Sequence, residues 1–368
     1  GSAPEARRGE RLRHNSFCGV NLAAYALKRA GRPYRWIHHD PSGSGVIEAL
    51  RAALSGEVDR ASGPRPTTPG PAARAAAGEL IEKLGDWRVG VIGDHPTGFE
   101  PCAYEPEAAQ QAFGTTIEFV PLDSLFESAR RATPVQVQSA HAELDNRFDL
   151  SPVADHDIEP STRILCGLRA LAEEHGWSAI ATRCWPECFT DFGGAACGPQ
   201  ALLSTDGLPA VCEADAYGAL TSLILQELAG EPAFVADIVD IGDETIVVWH
   251  CGLAPHTMAA DRPRATTHFA RGLPVLGEFA LAAGPVTIAR VSQSDNRTRL
   301  VIGRGELVDA PLPFAGTAGT IRTESPPDAV LDKIMAEGLE HHFGIVYGDV
   351  TEELDATAEL LGIETVRL

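Results

Sequence analysis

Residues 208–229 read LPAVCEADAYGALTSLILQELA: a short apolar run, an acidic turn, then a long and almost uninterrupted apolar stretch. The run at 209–212 predicts a buried strand. Asp215 stands where an aspartate side chain caps the free N–H groups of a helix over 216–229. A strand that feeds directly into a helix is the unit of a doubly wound sheet, and the same grammar recurs on both sides. Upstream, RVGVI (88–92) and 116–120 read as short strands, with helices over 106–113 and 122–131. A helix over 162–175 leads into a strand at 177–182, and 198–204 is helical. Downstream, 234–239 and 245–249 are further strands of the same run.

The pattern then changes. Segments 286–290, 297–302 and 306–308 alternate on period two between Asp-Asn and Gly-Arg-Gly turns, which predicts an antiparallel unit with no intervening helix. The tail returns to helix (327–338), strand (344–347), helix (351–361) and strand (364–367). At the other end, a helix over 20–30 is closed by Gly31-Arg32-Pro33, and 34–37 reads as a short strand. The Pro-, Gly- and Ala-rich stretch 62–76 reads as a mobile linker. The expected fold class is α/β, a doubly wound, largely parallel sheet domain followed by a smaller antiparallel β domain. The expected divisions are 1–76 (leading segment, helix and linker), 77–270 (α/β) and 271–368 (β-rich, with a terminal α/β return).

The chain has 368 residues with 51 acidic and 30 basic side chains, a formal charge of −21. Lysine occurs only as Lys28, Lys83 and Lys333. Such a surface repels phosphate and argues against nucleic-acid or anionic-membrane partners. Hydrophobic content of 44% with 22% charged residues excludes bulk disorder. No apolar run reaches the roughly 18 residues of a membrane helix. Eight cysteines without an export signal are expected as reduced thiols, which places the chain in the cytoplasm. Cys184 and Cys188, with Cys197 nearby, lack the second tight pair that a structural zinc site needs.

In open α/β sheets chemistry gathers beyond the carboxyl ends of strands. Three predicted strands end in groups able to hold a cation: Arg183-Cys-Trp-Pro-Glu187, Glu213-Ala-Asp215 and His250-Cys-Gly252. The pair His341-His342 precedes a fourth. Two carboxylates with one or two imidazoles suit Mn²⁺, Fe²⁺, Co²⁺ or Mg²⁺ better than a thiolate-rich zinc site. Each also has an ordinary reading: Asp215 as a helix cap, Glu187 as a solvated loop acid, His250 as a core histidine.

Taken together, CWPE (184–187), CEAD (212–215) followed by YGALTSLIL, WHCG (249–252) and EGLEHHFGIVYGDVTEEL (337–354) resemble the L-fucose isomerase family. So do HNSFCGVNLAAYALKRAGRPYR (14–35) and RVGVIGDHPTGF (88–99). The resemblance implies a metal held by Glu187, Asp215 and His342, with His250 as a fourth ligand or sugar contact. Glu213 is less suited, since two residues of one helical first turn point to different sides. The resemblance further implies aldose–ketose isomerisation of an open-chain sugar or sugar derivative through a metal-bound enediolate. Glu187 and Asp215 would act as acid and base, and Mn²⁺ is the foremost cofactor. Trp185, Trp249, Arg183 and His250 would contact substrate. It implies a homo-oligomer, trimer or hexamer, with the site near a subunit interface, and a further N-terminal α/β domain ahead of residue 14. The alternatives are the same chemistry turned to C–C cleavage, elimination or epimerisation, and a non-catalytic sugar-binding protein.

Overall fold

A helix with no polar face must be covered on every side, and residues 216–229 form such a helix. The computed structural model describes residues 16–39, 43–55, 68–313 and 315–368. In chain order it begins with α1 (Ser16–Arg29), α2 (Val46–Ser55), α3 (Pro71–Leu84), β1 (Arg88–Ile92), α4 (Pro106–Phe113), β2 (Thr116–Val120), α5 (Leu122–Arg131), α6 (Pro134–Arg147) and α7 (Asp155–His175). Next come β3 (Ala179–Thr182), α8 (Cys197–Thr205), β4 (Ala210–Val211) and α9 (Ala216–Ala229). The second half holds β5 (Phe234–Ile241), β6 (Ile246–His250), β7 (Arg264–Thr266), β8 (Leu276–Ala280), β9 (Gly284–Ser292), β10 (Arg299–Val308) and β11 (Thr317–Thr323). It closes with α10 (Pro327–Glu337), β12 (His342–Tyr347), α11 (Thr351–Leu361) and β13 (Glu364–Arg367).

Four strands form a parallel sheet in the order β2-β1-β3-β4. The other nine run β13-β10-β9-β12-β5-β6-β11-β8-β7, and β10 also pairs with β11. That extra pairing closes β10, β9, β12, β5, β6 and β11 into a six-stranded ring in which every neighbour is antiparallel. Closure gives each of the six strands a neighbour on both sides, moves the sheet edges out to β13 and β7, and leaves an inside to fill with side chains. α9 lies between the two sheets, touching β1, β3 and β4 on one side and β5, β9 and β12 on the other. Every residue from Ala216 to Leu225 is therefore buried. Each large aliphatic side chain removed from water there contributes about 1.5–3 kcal/mol.

The fold class is the expected one, with a parallel α/β sheet and an antiparallel sheet. The apportioning differs. β5 and β6, expected beside the parallel strands, pair instead with β12 and β11, so the antiparallel sheet is the larger of the two. Local apolar runs cannot report which sheet a strand joins. Residues 34–37 are irregular rather than a strand. Of the expected linker, 71–76 open α3, with Pro71 in the first turn where its missing N–H costs nothing; 62–67 lie outside the described residues. α6 was not anticipated, although Thr133 and Gln136 form a capping box at its start.

Candidate metal centre

The turn after β4 decides the site. Glu213 and Ala214 both adopt left-handed backbone, with φ of 61° and 56°. Non-glycine residues are held there at a cost of about 1–3 kcal/mol each, and such strain concentrates at functional sites. The turn is secured by the Ala214 N–H donating to the Thr182 carbonyl at 3.0 Å and the Asp215 N–H donating to the Cys212 carbonyl at 3.2 Å. Because 213–214 are not helical, the argument that separated Glu213 from Asp215 by helical angle does not apply. Glu213 turns toward the start of β12, and Asp215 begins α9.

Four elements then converge. Glu213 Oε2 is 3.1 Å from His341 Nε2 and 3.5 Å from His342 Nε2. Asp237, in the middle of β5, is directly opposite His342 on β12 and Trp249 on β6. Its Oδ1 lies 3.8 Å from His342 Nε2 and 3.9 Å from His341 Nε2. His250 Nε2, at the end of β6, is 3.3 Å from His342 Nε2. All three histidines are buried.

Asp215 stands behind this cluster. Its carboxylate accepts from both Arg290 terminal nitrogens (2.5 and 2.8 Å), from the Gly218 N–H (2.9 Å) and from His342 Nδ1 (2.9 Å). The last bond makes Nδ1 the protonated nitrogen, so the Nε2 lone pair faces Glu213 and Asp237. This is how a carboxylate orients a metal-binding imidazole. At His250 the order is reversed: Nδ1 accepts the Cys251 N–H at 2.9 Å, which leaves Nε2–H as a donor toward the cluster.

Burial opposes charge on Glu213, but the His341 hydrogen bond and the neighbouring imidazoles outweigh it and hold the carboxyl below its ordinary value. Burial likewise opposes protonation of His341, yet Glu213 and Asp237 move it upward. At Asp215 burial is overcome by Arg290 and His342, and the carboxyl falls far below the carboxylate range. Two atoms of the cluster are buried with no hydrogen-bond partner, Asp237 Oδ1 and His341 Nδ1. An acidic oxygen buried without a donor leaves a place for a cation. Two carboxylates with imidazole nitrogen fit a divalent ion of the Mn²⁺, Fe²⁺ or Co²⁺ kind.

The expected set Glu187, Asp215 and His342 is thus only partly brought together. His342 is central and Asp215 touches it from behind. Glu187 is elsewhere: Arg183 closes on it through Nε at 2.8 Å and Nη2 at 2.6 Å, and neither joins any group of metal-ligating side chains among the described residues. An arginine four residues before a carboxylate on a turn finds it locally, which satisfies both charges. Trp185, Trp249 and His250 do line a cavity of about 440 Å³ that also contains Glu213 and Asp237. Sequence reasoning missed Asp237 and Arg290, and it named His341 only as one of a pair of which one would bind. The signal for the two it missed was an acid in FVADIV and an arginine in VTIARV, charges inside runs otherwise apolar. Contrary to the expectation of free thiols throughout, Cys184 and Cys212 are joined as a disulfide across the turns after β3 and β4.

The family model described as "L-fucose isomerase, C-terminal domain" matches residues 263–368, which span β7 to β13 and include His341 and His342. A sulfoquinovose isomerase of Priestia aryabhattai is 30% identical over 370 residues, covering 99% of this chain and 78% of its own length. Those of Alkalicoccus urumqiensis and Clostridium sp. (strain MSTE9) are each 29% identical, over 100% and 97% of this chain and 79% and 77% of their own. No described helix is long and apolar enough to cross a membrane. The chain belongs to the L-fucose isomerase family and is an enzyme of the aldose–ketose isomerase class.

Proposed function

We propose that this enzyme converts a sulfonate-bearing aldohexose, sulfoquinovose or a close analogue, to its ketose. It would do so at a divalent ion, Mn²⁺ foremost, held by Glu213, Asp237 and His342. The observation that carries this reading is the meeting of Glu213, Asp237 and the His342 Nε2, the two acids lining a cavity large enough for a small ligand. The names of the relatives supply the substrate class. A divalent ion bound there supplies Lewis-acid polarisation of the carbonyl and its neighbouring hydroxyl.

The rest of the chemistry belongs to the chain. Isomerisation moves one proton from C2 to C1 and one from the C2 hydroxyl to the C1 oxygen. Glu213, kept ionised by His341, takes the C2 proton, exchanges it with solvent and delivers a proton at C1. Asp237 faces the two oxygens. His250 offers its Nε2–H to a sugar hydroxyl, the contact role of the two considered for it. Asp215, with Arg290 behind it, positions His342 and does not touch the sugar. Trp185 and Trp249 give the cavity an apolar wall for the C–H face of the substrate and exclude water from the reacting carbons.

The test is turnover in D₂O with Mn²⁺, followed by NMR, using sulfoquinovose, glucose and fucose. A ketose from sulfoquinovose carrying deuterium at C1 is expected, and Glu213→Gln abolishes its formation. Unchanged aldose, or carbon-chain fragments, overturns the reading.

A further inference from the structure

Glu213 and Asp237 line the cavity together with the aromatic side chains of Trp185, Phe189, His268 and Phe269. Among the described residues no arginine or lysine lines it. A substrate that carries an anion therefore needs a cation from beside that lining, and Arg271 is exposed and follows Ala270, which lines the cavity. Arg183 is closed on Glu187, and Arg290 is closed on Asp215. Arg271 has no carboxylate partner among the described residues. Its guanidinium carbon lies 4.4 Å from the centroid of the Trp185 ring.

The loop that carries Arg271 joins β7 to β8 and is bonded within itself. The His268 carbonyl accepts the N–H groups of Arg271 (3.1 Å) and Gly272 (2.6 Å), and the His268 N–H donates to the Leu273 carbonyl at 2.9 Å. Gly272 closes the turn with a φ of +66°, which glycine adopts without strain. His268 Nδ1 also accepts the Ala270 N–H, so the ring stays fixed beside Trp185, 5.4 Å between centroids. Stacking engages the face of a guanidinium and leaves its in-plane N–H edge free. That edge matches two oxygens of a sulfonate, phosphate or carboxylate.

The geometry points to Arg271, held on Trp185, as the residue that recognises an oxyanion of the substrate. It thereby sets the preference for a charged over a neutral substrate. This deepens the isomerase reading and rests on it for which end of the sugar meets Glu213 and Asp237.

The experiment is calorimetric titration of Mn²⁺-supplied protein with three hexitols that cannot be isomerised. They carry a sulfonate, a phosphate or a hydroxyl at C6. Wild type is expected to favour the sulfonated over the neutral hexitol. Arg271→Ala should reduce that ratio about 10- to 100-fold, the scale of hydrogen bonds to a charged group. Arg271→Lys, which keeps the charge and loses the fork, should fall between them. A stronger phosphate than sulfonate signal that is likewise lost in Arg271→Ala upholds the role and identifies phosphate as the oxyanion. Equal affinity for charged and neutral hexitols in wild type, or a ratio unchanged in Arg271→Ala, overturns the inference. The titration involves no turnover. Selective binding lost in Arg271→Ala upholds Arg271 even where the D₂O experiment fails, and deuterated ketose with unselective binding keeps the isomerase and removes this role.

Discussion

Replacing Asp215 by asparagine separates a residue that holds a metal from one that positions a ligand. Both carboxylate oxygens are already engaged by Arg290, the Gly218 N–H and His342 Nδ1, and both side chains of the Asp215–Arg290 pair are 1% exposed. An amide keeps one acceptor and turns an NH₂ group toward a guanidinium or an imidazole N–H. Arg290 then remains charged where water does not reach. Breaking a buried pair in this way costs about 3–5 kcal/mol. Little of that is the helix cap, because the amide oxygen still accepts from Gly218. His342 also loses the acceptor that fixes its tautomer, a change that weakens metal affinity about 10–100-fold in comparable sites. Urea denaturation of wild type, Asp215→Asn, Arg290→Met and the double variant measures the first effect, and Mn²⁺ titration the second. The single losses are expected to exceed additivity, with a coupling of about 2–3 kcal/mol. A loss below about 1 kcal/mol for Asp215→Asn, or strictly additive singles, refutes the buried-pair reasoning. Abolished Mn²⁺ binding at unchanged stability makes Asp215 a ligand in its own right.

Other perturbations address the rest of the molecule. Glu213→Gln and Asp237→Asn are each expected to weaken Mn²⁺ binding by calorimetry, while Glu187→Gln leaves it unchanged; the reverse order would return the ligand role to Glu187. Glu118 accepts from Trp177, Arg88 and His175. Burial opposes its charge, but these bonds prevail and lower its pKa. A depressed folded pKa contributes stability that is present above the unfolded value and lost as pH falls through the folded one. The stability deficit of Glu118→Gln should therefore be constant near neutrality and close below about pH 4; a deficit that persists in acid contradicts it. A Cβ on Gly90 overlaps the Trp177 ring. Gly90→Ala is expected to cost about 1–3 kcal/mol in denaturant titration, relieved by Trp177→Leu in the same chain; no relief would place the strain elsewhere.

Much of the first sheet could be read locally. The strand–turn–helix of 209–229 is legible because Asp215 caps a segment with no polar face, and α11 and β13 have the bounds expected for them. His342 was reached through the resemblance of the segment around it. What could not be read was which carboxylates it meets. Asp237 became its neighbour only when β5 paired with β12, and His250 and His342 meet across 92 positions of sequence. Glu213 was set aside on a helical geometry that its left-handed backbone does not have.

From its sequence alone this protein is determined to be an acidic α/β chain of the L-fucose isomerase kind, with imidazole and carboxylate at strand ends. The acidity and the α/β alternation depend on composition and on neighbours a few residues apart, and the family rests on the resemblance of its motifs. The closing of six strands into a ring, and with it the meeting of Glu213 and Asp237 with His342 while Glu187 stays on Arg183, was decided only in three dimensions. A charge is assigned by whichever opposite charge reaches it first. For Glu187 that is an arginine four residues away, whereas Asp237 meets a histidine only because a strand from the far end of the chain delivers it.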